Sequence, residues 1–352
     1  MNLKNTKIIE KMSTLYTSED VVDYCIESEF KNNTIKFNKS FLEKHERANP
    51  LEFVFETNTE DPHTNENGEV SPIRVIDASA DKDNEWKLQS FYGLIKSVID
   101  TYKIKLNCRF VACLNDGLPI TDKYTKFSTF GRHKSSNHIG MPDPLVCGVL
   151  TFGYKIRTYL NDDVPFSEKK DGIIFRGSDT SKQRENLLNQ RLTFCINNKD
   201  SNYIDSKITF FAHYSDDMLR NHNINKSEIY SEHTTSEDQL KYKYIAYING
   251  NTVSGDRMMW QLASNSLLIQ VKPKENEDDY IWYHSFLNSL GILPTFSEES
   301  FLDDFKEFEK REDIEALIKK QQYFASIILD RGFQMLYTKE ALVKYNEIYN
   351  AS

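Results

Sequence analysis

Over residues 85–102, EWKLQSFYGLIKSVIDTY, the side chains Trp86, Phe91, Leu94, Ile95, Val98, Ile99 and Tyr102 recur at a spacing that gathers them largely on one helical face. Short apolar runs flank this helix, IRVIDAS at 73–79 and RFVACL at 109–114, and both have the length of buried strands. Strand, helix, strand in that order predicts a βαβ unit. Residues 1–50 suggest helices and connectors of mixed charge, and TNTEDPHTNENGEV (57–70) a surface loop.

The second half repeats the rhythm. Strands are predicted at GIIF (172–175), KITFFAHY (207–214), KYIAYI (243–248) and LLIQV (267–271), with helices at 181–196 and 256–266. From about 312 the tail is helical, with Ile314, Leu317, Phe324, Ile328 and Leu329 on its apolar positions. The charged segment 157–170, RTYLNDDVPFSEKK, falls between the halves and is expected to connect them. The expected architecture is two α/β domains, residues 1–156 and 157–335, with 336–352 a helix returning to the first.

Composition narrows the function classes. The chain has 352 residues, 39% of them hydrophobic, including 22 Phe and 19 Tyr, which is ample for globular cores. Its net charge of -9 disfavours nucleic acid as a partner, although KYKY (241–244) interleaves basic and aromatic residues. MNLKNTKIIEKMSTLY lacks an apolar leader segment, no apolar run is long enough to span a bilayer, and the five cysteines show no CxxC spacing. The expectation is a cytoplasmic chain with free thiols and no metal site. Peripheral contact with a membrane would suit a lipid-linked substrate, but no basic amphipathic helix points to it.

Three stretches carry candidate chemistry. GIIFRGSDTS (172–181) takes a strand into a turn and then a helix; Gly177 lets a ligand approach the backbone, Ser178, Thr180 and Ser181 offer hydroxyls or caps, and Arg176 offers a planar fork for phosphate. A capped strand–turn–helix with Arg176 in a surface ion pair fits the same residues, and neither a P-loop nor GxGxxG is present. The second stretch, KYKYIAYINGNTVSGDRMMW (241–260), has the same shape, with Lys243 in its strand and Thr252, Val253, Ser254, Gly255, Asp256 and Arg257 at its turn. Two such turns could hold a diphosphate between them. The third is FVACLNDGLPI (110–120), where Asp116 follows a buried strand and could serve as a general base, although Asn-Asp-Gly is often only a turn.

Taken in order, LNDGLP (114–119), FSTFGRHKSSNHIGMPDP (127–144), EKKDGIIFRGSDTSKQREN (168–186) and LKYKYIAYINGNTVSGDR (240–257) resemble the protein O-glucosyltransferase family of inverting glycosyltransferases, which includes lipopolysaccharide-modifying members. The resemblance covers roughly residues 85–335. It implies a GT-B fold of two Rossmann-like domains, a UDP-sugar donor (glucose or xylose), no required metal, and a glycan, lipopolysaccharide or protein acceptor. It also implies Asp116 as catalytic base, with donor contacts from Met141, Pro142, Arg176, Gly177, Ser178, Ser181, Arg184, Lys243 and the turn 252–257. Where many eukaryotic members carry a second arginine after FRGS, this chain has Asp179. The leader and retention tail of animal members are absent too, which points to a bacterial or viral member.

Other features have plainer readings. DKD (81–83) matches a metal-binding pattern of other glycosyltransferases but reads as a solvated helix start. His133 and His138 flank a polar loop, Met258 and Trp260 read as core, and KENEDD (274–279) as a solvated loop. Two rival readings remain: an inactive sugar-nucleotide or glycan-binding protein on the same fold, and an unrelated α/β nucleotide enzyme such as a kinase, whose motifs are missing.

Overall fold

A computed structural model of the chain describes residues 18–32, 52–65, 67–77, 85–114, 125–129, 132–133, 138–143, 152–180, 188–253, 255–273 and 279–352. The chain forms two units. One is built from Tyr16–Tyr154, Asp279–Phe286 and Ile327–Ser352; the other is centred on Lys155–Asp278 and Leu287–Ser326.

The first unit contains α1 (Ser18–Asn32), β1 (Glu52–Asn58), β2 (His63–Thr64), β3 (Val70–Ser71), β4 (Ile73–Asp77), α2 (Glu85–Tyr102), β5 (Asn107–Cys113), β6 (Lys126–Ser128), β7 (Arg132–His133) and β8 (His138–Gly140). Its main sheet has the order β4-β1-β5-β6-β8. Helix α2 and strands β4 and β5 form where the sequence predicts them, but β4 and β5 are not neighbours. β1, which the periodicity did not reveal, lies between them and runs antiparallel to both. The sheet is therefore mixed, and departs from the parallel sheet expected of a Rossmann-like half. The β2–β3 hairpin occupies most of the stretch expected as loop and ends one residue beyond it, at Ser71.

Aromatic side chains hold this unit together. Phe55 on β1 stacks on Phe110 of β5 at 5.2 Å and meets Phe91 of α2 edge-on at 5.4 Å. Phe110 in turn meets Phe127 of β6 at 5.1 Å. Such pairs add about 0.5–1.5 kcal/mol each beyond the area they bury.

The second unit begins within α3 (Phe152–Asp162). It continues through β9 (Lys170–Ser178), α4 (Gln190–Asn197), β10 (Ile204–Phe210), α5 (Asp216–Asn221), α6 (Lys226–Ile229), α7 (Ser236–Gln239), β11 (Tyr242–Tyr247), α8 (Gly255–Ala263) and β12 (Leu267–Val271). After β13 (Asp279–Tyr280) and the start of α9 (His284–Ser289) in the first unit, the chain adds β14 (Thr295–Phe296), α10 (Phe301–Phe308) and most of α11 (Ile314–Ile328) to the second. It ends in α12 (Arg331–Ala351), back in the first unit, where Tyr345 packs 5.0 Å from Phe127.

The second sheet has the order β10-β9-β11-β12-β14, and every pairing is parallel. All five residues of β12 are buried, as expected of a strand covered on both faces. The charged stretch 157–170, expected as a connector, is the end of α3 followed by a 3-10 turn, and it is anchored. Lys169 and Asp163 form a buried ion pair at 2.8 Å, and Asp163 also accepts from the Asn265 backbone N–H at 2.6 Å. Among the described residues no helix is long and apolar enough to cross a membrane.

In the mixed sheet, Glu56 on β1 accepts from Arg109 Nε on β5 and Arg74 Nε on β4, both at 2.6 Å, and so ties three strands together. Burial alone would raise its carboxyl, but the hydrogen bonds and charges of Arg109 and Arg74 outweigh that and hold it below the ordinary value of 4.5. A lowered folded pKa stabilises the fold above the unfolded value, and that contribution is lost as pH falls through the folded one. Glu56→Gln should therefore cost about 1 kcal/mol at neutral pH. Urea-melt stabilities of variant and wild type should draw together progressively as pH falls from 4.5 through the lowered folded pKa; a gap that stays constant over the whole acid range would exclude the linkage.

Candidate functional site

In a parallel α/β sheet, ligands bind beyond the carboxyl ends of the strands, where neighbouring connections leave in opposite directions. Counted along the second unit, the strand order is 2-1-3-4-5, so that point lies between β9 and β11. The residues leaving β9 are Asp179 and Thr180; those leaving β11 are Ile248, Asn249 and Gly250.

Arg191 joins the two strand ends. It sits in the first turn of α4, and only 3% of it is exposed. Nε and Nη2 both donate to the Ile248 carbonyl, at 3.2 and 2.9 Å. Nη1 donates to the Ser178 carbonyl at 3.1 Å and to Thr180 Oγ1 at 3.0 Å, and the Ser178 and Thr180 hydroxyls lie 2.7 Å apart. Arg257, in the first turn of α8, donates from Nη1 to the Arg176 carbonyl.

Two glycines make this crowding possible. A Cβ on Gly177 would stand 3.1 Å from Arg257 Nη1 and 3.6 Å from Arg191 Nη1; one on Gly250 would stand 3.0 Å from Arg191 Nη2 and 3.3 Å from the Thr180 carbonyl. Both guanidinium groups thus approach the same point beside β9. Among the described residues no carboxylate pairs with either of them. Burial, and then the neighbouring charge of Arg257, push Arg191 down to about 9. Burial also lowers Arg257, against the opposing pull of Asp256 and Tyr247. Two cations held by carbonyl dipoles, with no carboxylate in direct contact among the described residues and only the weaker pull of Asp256 and Asp179 on them, offer a place where an anion could be held.

The predicted residues fall into several places. Gly177, Ser178 and Arg257 lie at the switch point, but 176–178 belong to strand β9 and not to a turn, paired with β10 through Arg176↔Lys207, Gly177↔Ile208 and Ser178↔Phe210. Of the helix expected over 181–196, residues 181–187 lie outside the described residues, and the described part is α4, Gln190–Asn197. Its cap is Asn189, whose side chain accepts from the Leu192 N–H, so Ser178 does not cap it. Arg176 is engaged elsewhere: Nη2 pairs with Asp205 Oδ1 and Nη1 with the Asp205 carbonyl, both at 2.8 Å. Lys243 stands at the opposite, amino end of β11, where it pairs with Asp171 at 2.5 Å, so it does not share the site. Strand direction separates it from the crevice.

Thr252, Val253, Gly255 and Asp256 follow β11 into α8, and the Thr252 carbonyl accepts from the Gly250 N–H at 3.1 Å. Met141 and Pro142 lie buried after β8 in the first unit. Asp116, Ser181, Arg184 and Ser254 lie outside the described residues, as do 81–83 and 274–278. Asp179 does not neutralise the arginines at close range. Its carboxylate accepts from the backbone N–H groups of Ala212, His213 and Tyr214, at 2.6 to 3.1 Å, and so fixes the chain after β10. Sequence reading missed Arg191, Asn249 and Gly250. Among the described residues no cluster of three His, Cys, Asp or Glu could hold a metal ion.

Inorganic pyrophosphate should raise the melting temperature, by the equivalent of about 2.7 kcal/mol at a hundredfold excess over its Kd. Arg257→Gln should weaken pyrophosphate about 10- to 100-fold by calorimetry; equal affinity would remove Arg257 from the site. No family model matches the chain, and no curated protein matches it closely enough to assign it.

Proposed function

We propose that the chain is an inverting glycosyltransferase of GT-B type, which moves glucose or xylose from a UDP-sugar to a hydroxyl of a glycan, lipopolysaccharide or protein. The observation that carries this reading is the pair of buried Arg191 and half-buried Arg257 at the β9–β11 switch point, with no carboxylate in direct contact among the described residues. Its position and charge suit a diphosphate, and the motifs that resemble the family supply the sugar and the chemistry.

In the proposed step the acceptor oxygen bonds to the anomeric carbon as the bond from that carbon to the β-phosphate oxygen breaks. Attack from the face opposite the nucleotide inverts the centre. Asp116, assigned from its motif alone, takes the acceptor proton. UDP leaves with an added negative charge, and Arg191 and Arg257 stabilise it. Donors fixed before the reaction are typically worth about 3–4 kcal/mol each in the transition state. The carbonyl bonds of Arg191 provide that fixity. Arg176, committed to Asp205, is given no place on the diphosphate in this scheme.

Turnover of UDP-glucose and UDP-xylose, followed as UDP release, tests the reading. Asp116→Asn should lower turnover by about 10²–10⁴ and leave UDP affinity unchanged. Near-normal turnover would remove Asp116 as base. UDP binding by the wild type with no turnover on any acceptor would favour the binding-protein reading instead.

A further inference from the structure

Asn249 is only 4% exposed, and among the described residues neither its Nδ2 nor its Oδ1 has a hydrogen-bond partner. A buried unpaired polar group costs about 1–3 kcal/mol, so an amide with both atoms unpaired asks for an explanation. Its place in the chain supplies one. Asn249 stands between Ile248, whose carbonyl accepts twice from Arg191, and Gly250, whose missing Cβ leaves room for the same guanidinium. It therefore adjoins the anion site at the carboxyl end of β11.

The two unpaired atoms set the chemistry of the ligand. Nδ2 only donates and Oδ1 only accepts. Phosphate oxygens could satisfy the first and not the second. A group that both accepts and donates from adjacent atoms satisfies both. A pyrimidine edge has that pattern, but a whole ribose separates it from the diphosphate. A sugar ring next to the diphosphate offers it directly, as two neighbouring hydroxyls.

We infer that Asn249 is a specificity-determining residue whose carboxamide binds a vicinal diol of the sugar adjoining the diphosphate held by Arg191 and Arg257. The inference rests on the donor-site reading above. The diol belongs either to the ribose or to the transferred sugar, and the test separates the two.

Binding of pyrophosphate, UDP and UDP-glucose is measured by calorimetry on wild type and on Asn249→Leu. The variant should keep its pyrophosphate affinity within about twofold and lose about 10- to 100-fold for the diol-bearing ligand. Loss for both UDP and UDP-glucose assigns the ribose; loss for UDP-glucose alone assigns the transferred sugar. The unliganded variant should melt at the same or a higher temperature, because an unpaired amide is replaced by an apolar group of similar size.

Unchanged affinity for every ligand, or an equal loss for pyrophosphate, overturns the inference while the anion site stands. A wild type that binds neither pyrophosphate nor UDP overturns the donor-site reading and the inference with it. If Asn249→Leu does not fold, 2′-deoxy-UDP and UDP-3-deoxyglucose, which breaks both ring diols of the glucose, are measured on the wild type. One of them should bind about tenfold more weakly than its parent, and parity for both overturns the inference.

Discussion

One guanidinium ties the ends of two strands together. Arg191 reaches the Ser178 carbonyl at the end of β9 and the Ile248 carbonyl just beyond β11, and no other described side chain bonds to both. Carbonyls at the carboxyl edge of a parallel sheet run out of ladder partners, and a buried polar group without one is costly. Arg191 supplies the donors from the first turn of α4, which sets how closely that helix can approach the sheet. Everything else at the switch point follows from this placement. Gly177 and Gly250 are needed because the fork lies where their side chains would be. Arg257 must enter beside a like charge, and Thr180 is held by its hydroxyl.

The same arrangement gives stability and binding opposite demands. Carbonyl dipoles orient the two cations without neutralising them, and the charge of Arg257 weighs against that of Arg191, a repulsion that a bound anion would relieve. The Asp179 carboxylate bonds to three backbone N–H groups after β10 rather than to either guanidinium, so its charge acts on Arg191 only as a weak, indirect pull.

How much of this could be read from the residues depended on whether the pattern was apolar. The runs at 172–175, 243–248 and 267–271 stood out because buried parallel strands are nearly continuous in Ile, Leu and aromatic side chains. The amphipathic face of 85–102 was equally plain. Arg176–Ser178 read as a turn in the sequence because their polar side chains and glycine conceal continued pairing with β10. β1 went unread because EFVFETN runs into a polar loop and its antiparallel insertion depends on partners distant in sequence. Arg191 was hidden most completely: Gln190, Arg191 and Leu192 are all buried, so no polar face marks the first turn of α4. Its role is set by the carbonyls it meets, and periodicity carries no information about those.

The first unit is assembled from three separated lengths of chain, and the last of them carries Tyr345, whose hydroxyl donates to the Arg109 carbonyl across 236 positions. During synthesis, β1, β5 and β6 leave the ribosome long before the helix that covers Phe110 and Phe127 exists. The second unit, whose parallel strands are all made in between, can close first. Nascent chains would then carry an aromatic sheet covered by α2 at Phe55 but still without the Tyr345 helix over Phe110 and Phe127 for most of translation. Chaperone demand and sensitivity to premature termination should concentrate in the half of the protein that is made first.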